Sequence, residues 1–321
     1  MVELALHAPS VHNTQPWQFR DDRGVLTVRR DETRRLPVLD PDARQQTISC
    51  GAALHLAGLG LRLQGFEPVL EMARPAEAPT LARLRALPGH PAAGEDAALE
   101  QAARSRHMQR ARFEDREVDP EVVEAMRAAV QGVGAWVRFL KGASEQLAVA
   151  VLLNHADHQE VSDESYREEL EAWTSRPASA RDGLVPEATD LGDTPRASDV
   201  RLRDFAVGER PGRAPGRGDG PDGNDDAPPP VEHPLVAIIG TTGDGPSDWL
   251  VAGQALCALL LQAEIGGVQA SPLGQVLDRP WTRRRLAGEL GLVGHPQMVL
   301  RLGHAEPGPA TPRRPVRDVL T

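Results

Sequence analysis

Thr47-Ile48-Ser49-Cys50-Gly51-Ala52-Ala53-Leu54-His55-Leu56-Ala57-Gly58-Leu59-Gly60-Leu61-Arg62-Leu63-Gln64-Gly65 is the stretch on which the reading of this chain turns. Its apolar residues fall on nearly every face of a helix, so such a helix must be buried on most sides. Gly65 is a stop signal, and Phe66 to Glu71 reads as the strand that follows. A second segment, Leu250 to Val268, is also apolar all round. Shifting the first by 202 positions brings Gly51, Ala53, Leu54, Leu59 and Gly65 onto Gly253, Ala255, Leu256, Leu261 and Gly267. Each copy comes before a glycine and an extended run. The chain is therefore expected to hold two related halves, 1–100 and 101–321, with the two helices packed against each other.

The 321 residues give room for two ordinary domains. A formal net charge of −10 argues against a nucleic-acid partner, because neutralising phosphates needs a basic face. Unbroken apolar runs fall short of the roughly 20 residues that span a bilayer, and no basic, apolar and cleavage-site sequence opens the chain. A soluble, cytoplasmic protein is expected, with no membrane partner. The two cysteines, Cys50 and Cys257, lie in apolar segments without a C-x-x-C partner and read as reduced core residues.

Working outward to the N-terminus, residues 1–8 are the end of a short helix whose start is expected upstream. It runs into Ala8-Pro9-Ser10-Val11-His12-Asn13-Thr14-Gln15-Pro16-Trp17. Pro9 ends the helix and Pro16 holds the chain extended. Between them Ser10, Asn13 and Gln15 offer hydrogen-bond donors and acceptors on a restrained backbone, suited to a planar, heteroatom-rich ring. Read by residue type alone, the same cluster is a helix stop and turn. The stretch resembles the P-S-x-x-N-x-Q-P-W signature of the FMN-binding nitroreductase superfamily, and the His before Asn is most similar to its actinobacterial Acg-like branch.

That resemblance implies an α+β fold of two nitroreductase-like halves, fused in one chain as a monomeric pseudo-dimer around the long central helices. It implies FMN as cofactor, with Ser10, Asn13 and Gln15 as flavin contacts and Trp17 packed behind the loop. The role of His12 is open. Arg106-His107-Met108-Gln109-Arg110 is similar to the R-x-x-x-R/K element that holds the FMN phosphate in the family. The resemblance thus makes Arg106, His107, Met108 and Arg110 cofactor residues, with Arg313 and Arg314 matching the family's basic pair near the C-terminal strand. Guanidinium suits a phosphate because it is always charged and donates in pairs. Taken alone, Arg104, Arg106, Arg110 and Arg112 are as readily a helical solvated face paired with Glu114, Asp115 and Glu117.

Ser271-Pro272-Leu273-Gly274, with Gln275 after it, follows the second central helix where the family lays backbone beside the flavin N5 edge. A plain turn explains its Pro and Gly equally well. Only the first half carries the Pro-Ser loop and only the second carries R-x-x-x-R, so one composite site is expected rather than two.

The remainder is punctuation. Gln18 to Arg20 and Val25 to Val28 read as a hairpin, and Asp40-Pro41-Asp42 as a helix start. Residues 72–100 read as a surface helix and connection. A helix is expected from Pro120, a strand over 135–140, and one long helix over 144–173. Residues 175–234 form a lid up to Phe205 and a Pro/Gly/Asp-rich tract beyond it, an insertion that the resemblance lays across the flavin face. Leu235 to Ile239 and Met298 to Gly303 read as strands. Gly240 to Gly245 lacks the dinucleotide-binding order and is read as a turn. His155 and His158 are read as a solvated helix face in preference to a metal site.

Two functions follow from the resemblance. In the first, FMN takes hydride from NAD(P)H and passes electrons to a nitroaromatic, quinone or similar acceptor, with no protein acid or base required. In the second, the lid closes the site and the protein sequesters FMN.

Overall fold

The structure, a computed structural model, describes residues 1–74, 77–89, 94–110, 112–177, 179–184, 234–308 and 310–321. After a single helical turn, α1 (Val2–Ala5), the chain folds into a hairpin of β1 (Trp17–Asp22) and β2 (Val25–Arg30). Its two turn residues, Arg23 and Gly24, sit at φ 52° and 83°, as a tight two-residue connection requires. The long helix α2 (Arg44–Arg62) begins where the Asp40 carboxylate accepts the N–H groups of Gln45 at 3.0 Å and Gln46 at 2.8 Å. It stops before Gly65 at φ 83°. Next come β3 (Phe66–Met72) and β4 (Thr80–Pro88), completing an antiparallel sheet in the order β1-β2-β4-β3. Residues 80–88 are thus a strand, against the expected surface helix. Leu, Ala and Arg favour helix intrinsically, but Leu84 and Ala82 are buried while pairing to both neighbours overrides that preference. The helix lies later, in α3 (Gly94–Ser105).

The second half repeats this plan. Helix α4 (Pro120–Gly132) starts at Asp119, whose side chain accepts the Glu121 N–H at 2.9 Å. Strand β5 (Trp136–Leu140) leads into α5 (Ala143–Ser162) and α6 (Glu164–Thr174). The expected single helix is two, because Asp163 takes an extended conformation and caps α6 through the Tyr166 N–H. Then come β6 (Leu235–Thr241), α7 (Pro246–Ile265), β7 (Gln269–Pro272), the short α8 (Gln275–Asp278), α9 (Pro280–Glu289) and β8 (His295–Gly303). The second sheet is antiparallel in the order β5-β6-β8-β7, the same arrangement as the first. The tight turn between β1 and β2 has as its counterpart the whole connection 141–234 between β5 and β6.

Helices α2 and α7 cross at a reciprocal pair of glycines. A Cβ on Gly51 would stand 2.2 Å from the Leu250 carbonyl oxygen, and one on Gly253 would stand 1.9 Å from that of Ile48. Leu250 and Ile48 are related by the same 202-residue shift as the glycines, so each helix offers the other an equivalent patch. By length and composition α7 could cross a membrane, which counting unbroken apolar runs missed because Gln254 and Gln262 interrupt it. Some 61% of its apolar window is buried inside this fold.

The core crosses the midline. Leu250, Cys257 and Leu261 of α7 pack with α1, α2 and the first sheet, while Ile48 of α2 packs with the second sheet. The C-terminus crosses too, since Phe19 N–H donates to Val319 O at 2.7 Å and Thr321 N–H to Phe19 O at 2.9 Å. Helix α5 covers the second sheet, and α6 packs Tyr166, Leu170 and Trp173 on Leu36 and Leu39 of the first half.

Candidate functional site

The loop after α1 is locally strained. His12, Asn13 and Gln15 have φ of 46°, 52° and 48°, and only Asn tolerates that region readily. Such residues cost about 1–3 kcal/mol each and persist where surrounding bonds over-determine them. Here the Ser10 hydroxyl accepts the Gln15 N–H at 3.0 Å, Thr14 Oγ1 donates to Val11 O at 2.9 Å, and the Val11 N–H reaches Ser49 Oγ of α2 at 3.2 Å. The loop forms one wall of a cleft whose empty space, open solvent included, is about 1170 Å³. The other walls are the first turns of α2, the segment 106–110, the junction of β7 with α8, and the tail around Thr311 and Arg313.

Segment 106–110 is extended, not helical, because α3 stops at Ser105. Met108 bridges to Ala270 beside β7, and the Gln109 N–H donates to Ala270 O at 2.9 Å. The helical solvated-face reading therefore does not apply to Arg106 and Arg110. Arg104, still on α3, pairs with Glu100 at 2.8 Å. Arg106, buried at 4% exposure, spends one N–H on His7 O at 2.7 Å, and its Nε has no partner among the described residues. Arg313 donates to Asn13 Oδ1 at 2.9 Å and Thr311 Oγ1 at 2.6 Å. Burial, then the charge of Arg106, holds the Arg313 guanidinium down to about 9. Burial lowers Arg106 as well, and His107 is lowered by burial and then by Arg106 and Arg313. Among the described residues neither arginine has a carboxylate at ion-pair distance, although Glu264 acts on Arg106 from farther off.

The β7–α8 wall is rigid. Ser271 pairs in register with Arg301, Leu273 N–H donates to Val299 O at 2.8 Å, and the Leu273 side chain is wholly in the core. Ser271 at 0% and Gln275 at 1% exposure line the cleft, yet among the described residues Ser271 Oγ and Gln275 Nε2 have no hydrogen-bond partner. Beside them Gln45 Nε2 donates to Asp278 Oδ1 at 2.9 Å.

Of the residues singled out in the sequence, Ser10, Asn13, Arg106, His107, Met108, Arg110, Ser271, Pro272, Gly274 and Arg313 line this one cleft. Gln15, Leu273 and Arg314 do not. Gln15 is wholly buried, with Nε2 donating to Arg181 O at 2.7 Å and Oε1 accepting the Arg314 N–H at 2.8 Å. Arg314 turns back to Gln15 O, Asp318 O and Asp31. Trp17 is fully buried behind the loop.

Gln45, Ser49 and Asp278 were not anticipated, and Gln275 was named only as the end of the segment beside the flavin edge. A signal was present: Gln45 to Thr47 and Ser49 are polar residues at the start of a helix that must be buried, and buried polar groups there need partners. His12, left open, also lines the cleft. His155 faces Trp281 at 4.9 Å and Gln159, and among the described residues no His, Cys, Asp and Glu group could hold a metal.

The insertion reaches the loop. Asn13 Nδ2 donates to Gly183 O at 3.0 Å, the Gly183 N–H to Asn13 O at 3.2 Å, and Arg34 joins Thr14 O at 2.8 Å to Asp182 at 2.7 Å. Leu184 enters the cleft wall. The expected lid and tract over 185–233 lie outside the described residues.

No family model matches the chain. Among curated proteins it is similar to three of Mycobacterium tuberculosis strain H37Rv. "Putative NAD(P)H nitroreductase Rv3131" is 30% identical, with 100% of this chain and 90% of that protein covered. "Uncharacterized protein Rv3127" is 29% identical over 99% and 91%. "Putative NAD(P)H nitroreductase acg" is 26% identical over 99% and 93%. Among solved structures, a nitroreductase with bound FMN from Desulfitobacterium hafniense DCB-2 has a TM-score of 0.41 at 14% identity, covering 70% of this chain and 97% of that one.

Proposed function

The chain belongs to the NAD(P)H nitroreductase family of its mycobacterial relatives, and from that premise we propose that it is an FMN-dependent NAD(P)H oxidoreductase with one composite site per chain. The observation that carries this reading is the buried pair Arg106 and Arg313, neither with a carboxylate at ion-pair distance among the described residues. Two buried cations without a carboxylate partner are costly unless an anion joins them, and a terminal phosphate is the anion that paired guanidiniums suit best. Ser271 Oγ and Gln275 Nε2, without partners among the described residues, fit a heteroatom-rich ring on the β7–α8 wall. Ile48, Leu256 and Met298 supply apolar surface in the same cleft. Bound flavin would supply two-electron transfer from NAD(P)H to a nitroaromatic, quinone or similar acceptor. The chain's own part is to neutralise the phosphate with Arg106 and Arg313, orient the ring on the β7–α8 wall, and keep water from it with Leu184 and the apolar lining.

The matched sheet orders and the reciprocal glycine crossing support reading the chain as two fused halves, a monomeric pseudo-dimer. The same reading takes it as soluble and cytoplasmic, with a small-molecule substrate and no nucleic-acid or membrane partner. A second reading, sequestration of FMN with little turnover, is favoured by the attachment of residues 181–184 to the loop and of Leu184 to the cleft. An absorption spectrum of the purified protein, before and after anaerobic NADPH or NADH, tests both. Flavin bands that bleach within seconds support the oxidoreductase, bands that persist support sequestration, and colourless protein that takes up no added FMN ends both readings.

A further inference from the structure

Arg106 lines the cleft only while the extended segment 106–110 keeps its place beside β7, and the backbone attachment there is short. It consists of the bridge between Met108 and Ala270 and the Gln109 N–H to Ala270 O at 2.9 Å. The residues just before each partner are tied together by side chains. Ser105 closes α3 immediately before Arg106, and Gln269 opens β7 immediately before Ala270. Both reach one carboxylate, that of Glu264. The single proton of Ser105 Oγ has Glu264 Oε1 at 2.7 Å and Gln101 O at 3.1 Å, so the carboxylate takes it. Gln269 Nε2 donates to Glu264 Oε2 at 3.2 Å. Glu264 itself is fixed by the way α7 ends. Gly267, at φ 68°, turns the chain, its N–H donating to Glu264 O at 3.0 Å and the Val268 N–H to Ala263 O at 2.8 Å.

A carboxylate in the last turn of a helix lies against the carbonyl end of the dipole and gains nothing there. Its charge acts on both Arg106 and His107. Two roles would follow, and their effects have opposite signs. A counter-charge weakens the hold on an anion by offsetting Arg106. A clamp strengthens that hold by keeping Arg106 in place before the anion arrives. The bonds decide between them, because a counter-charge needs neither Ser105 nor Gln269, whereas a clamp needs one bond to each strand.

We propose that Glu264 is the positioning residue of segment 106–110, a two-oxygen clamp between Ser105 and Gln269 that seats Arg106 in the cleft and so raises affinity for the phosphate of the ligand. This rests on the flavin reading above, in which Arg106 holds that phosphate.

Binding of FMN, and of riboflavin, which lacks the phosphate, is measured by flavin fluorescence in wild type, E264A, E264Q, S105A and the double variant. Amide exchange over 106–110 is measured in the flavin-free proteins. E264A should weaken FMN about fivefold, the worth of one net hydrogen bond, and leave riboflavin as in wild type. It should also speed exchange at Gln109 while Tm stays at the wild-type value. E264Q, which loses the charge but keeps an acceptor, should fall between wild type and E264A. S105A should weaken FMN alone and add nothing in the E264A background, as members of one clamp do. FMN binding that tightens or holds steady in E264A would make Glu264 a counter-charge or a bystander and overturn the inference. Equal losses of FMN and riboflavin with a lower Tm would mean a general loosening and overturn it as well. In both cases FMN uptake by wild type leaves the function standing. Wild type that binds neither flavin would bring down the function and the inference together.

Discussion

Burial lowers the readiness of both Arg106 and Arg313 to hold a proton, and the charge of Arg106 lowers Arg313 further. Removing one charge should therefore ease the ligand-free fold while emptying the cleft of its reason to take an anion. R313M is expected to melt no lower than wild type in buffer alone, yet to lose the rise in Tm that millimolar phosphate gives wild type; an equal rise in both proteins would disprove the anion site. Histidines make a second residue-scale prediction. His7 and His55 are both held down to about 4, in each case by burial first and then by arginines, Arg313, Arg104 and Arg106 for His7 and Arg62 for His55. Between the ordinary value of 6.5 and about 4 the unfolded chain binds more protons than the folded one. Stability is then complete above pH 6.5 and is lost as the pH falls through that window. Asp40 and Glu169, raised by burial, act in the opposite sense. Urea midpoints should fall between pH 7 and pH 4.5, and His55→Leu should flatten that slope. An unchanged slope would mean that His55 titrates normally.

At the scale of elements the helix crossing decides most. Gly51→Ala or Gly253→Ala forces a methyl into a carbonyl oxygen at about 2 Å, and the backbone of the other helix cannot yield without parting the pair. Overpacking of this kind costs about 1–3 kcal/mol or more, and these sites belong at the upper end. Gly58, on the same helix, has nothing nearer than Pro68 Cβ at 3.8 Å, so Gly58→Ala should be neutral or stabilising by up to about 1 kcal/mol. Equal denaturation midpoints for G58A and G253A would show that the crossing is looser than it looks. The glycines were legible in the sequence because both helices carry them at matching positions, and so were the hairpin and the helix start at Pro120. Strand β4 was not, since Leu81 to Leu87 is composed of residues whose own preference is helical and whose strand identity comes from partners on both sides. Nor was the break at Asp163, a single side-chain cap within a continuous helical pattern. Gln45, Ser49 and Asp278 became site candidates only when folding turned the first turns of α2 and α8 towards one space.

Across the whole molecule the cleft belongs to neither half alone. Its loop and α2 come from the first, its cationic segment, β7 and tail from the second, and residues 181–184 fasten across the loop through Asn13, Gln15 and Arg34. Arg34→Ala removes both the Thr14 and Asp182 contacts, so proteolytic cutting within 176–184 should quicken and bound FMN should leave several-fold faster. Unchanged rates would mean that the strap is held without it. The same interdependence governs folding. The core beneath the first sheet takes Leu250, Cys257 and Leu261 from α7 and Val319 from the C-terminus, and strand β1 takes its edge partner from residues 319–321. A fragment ending at Ser105 would expose all of that apolar surface and leave the α2 glycine face bare, with too little core left to offset its chain entropy. It should show no cooperative thermal transition by circular dichroism, whereas the full chain should unfold in one step and take up one FMN. A folded fragment, or two separated transitions in the intact chain, would mean that the halves are independent domains and that the shared cleft is not a consequence of how the chain folds.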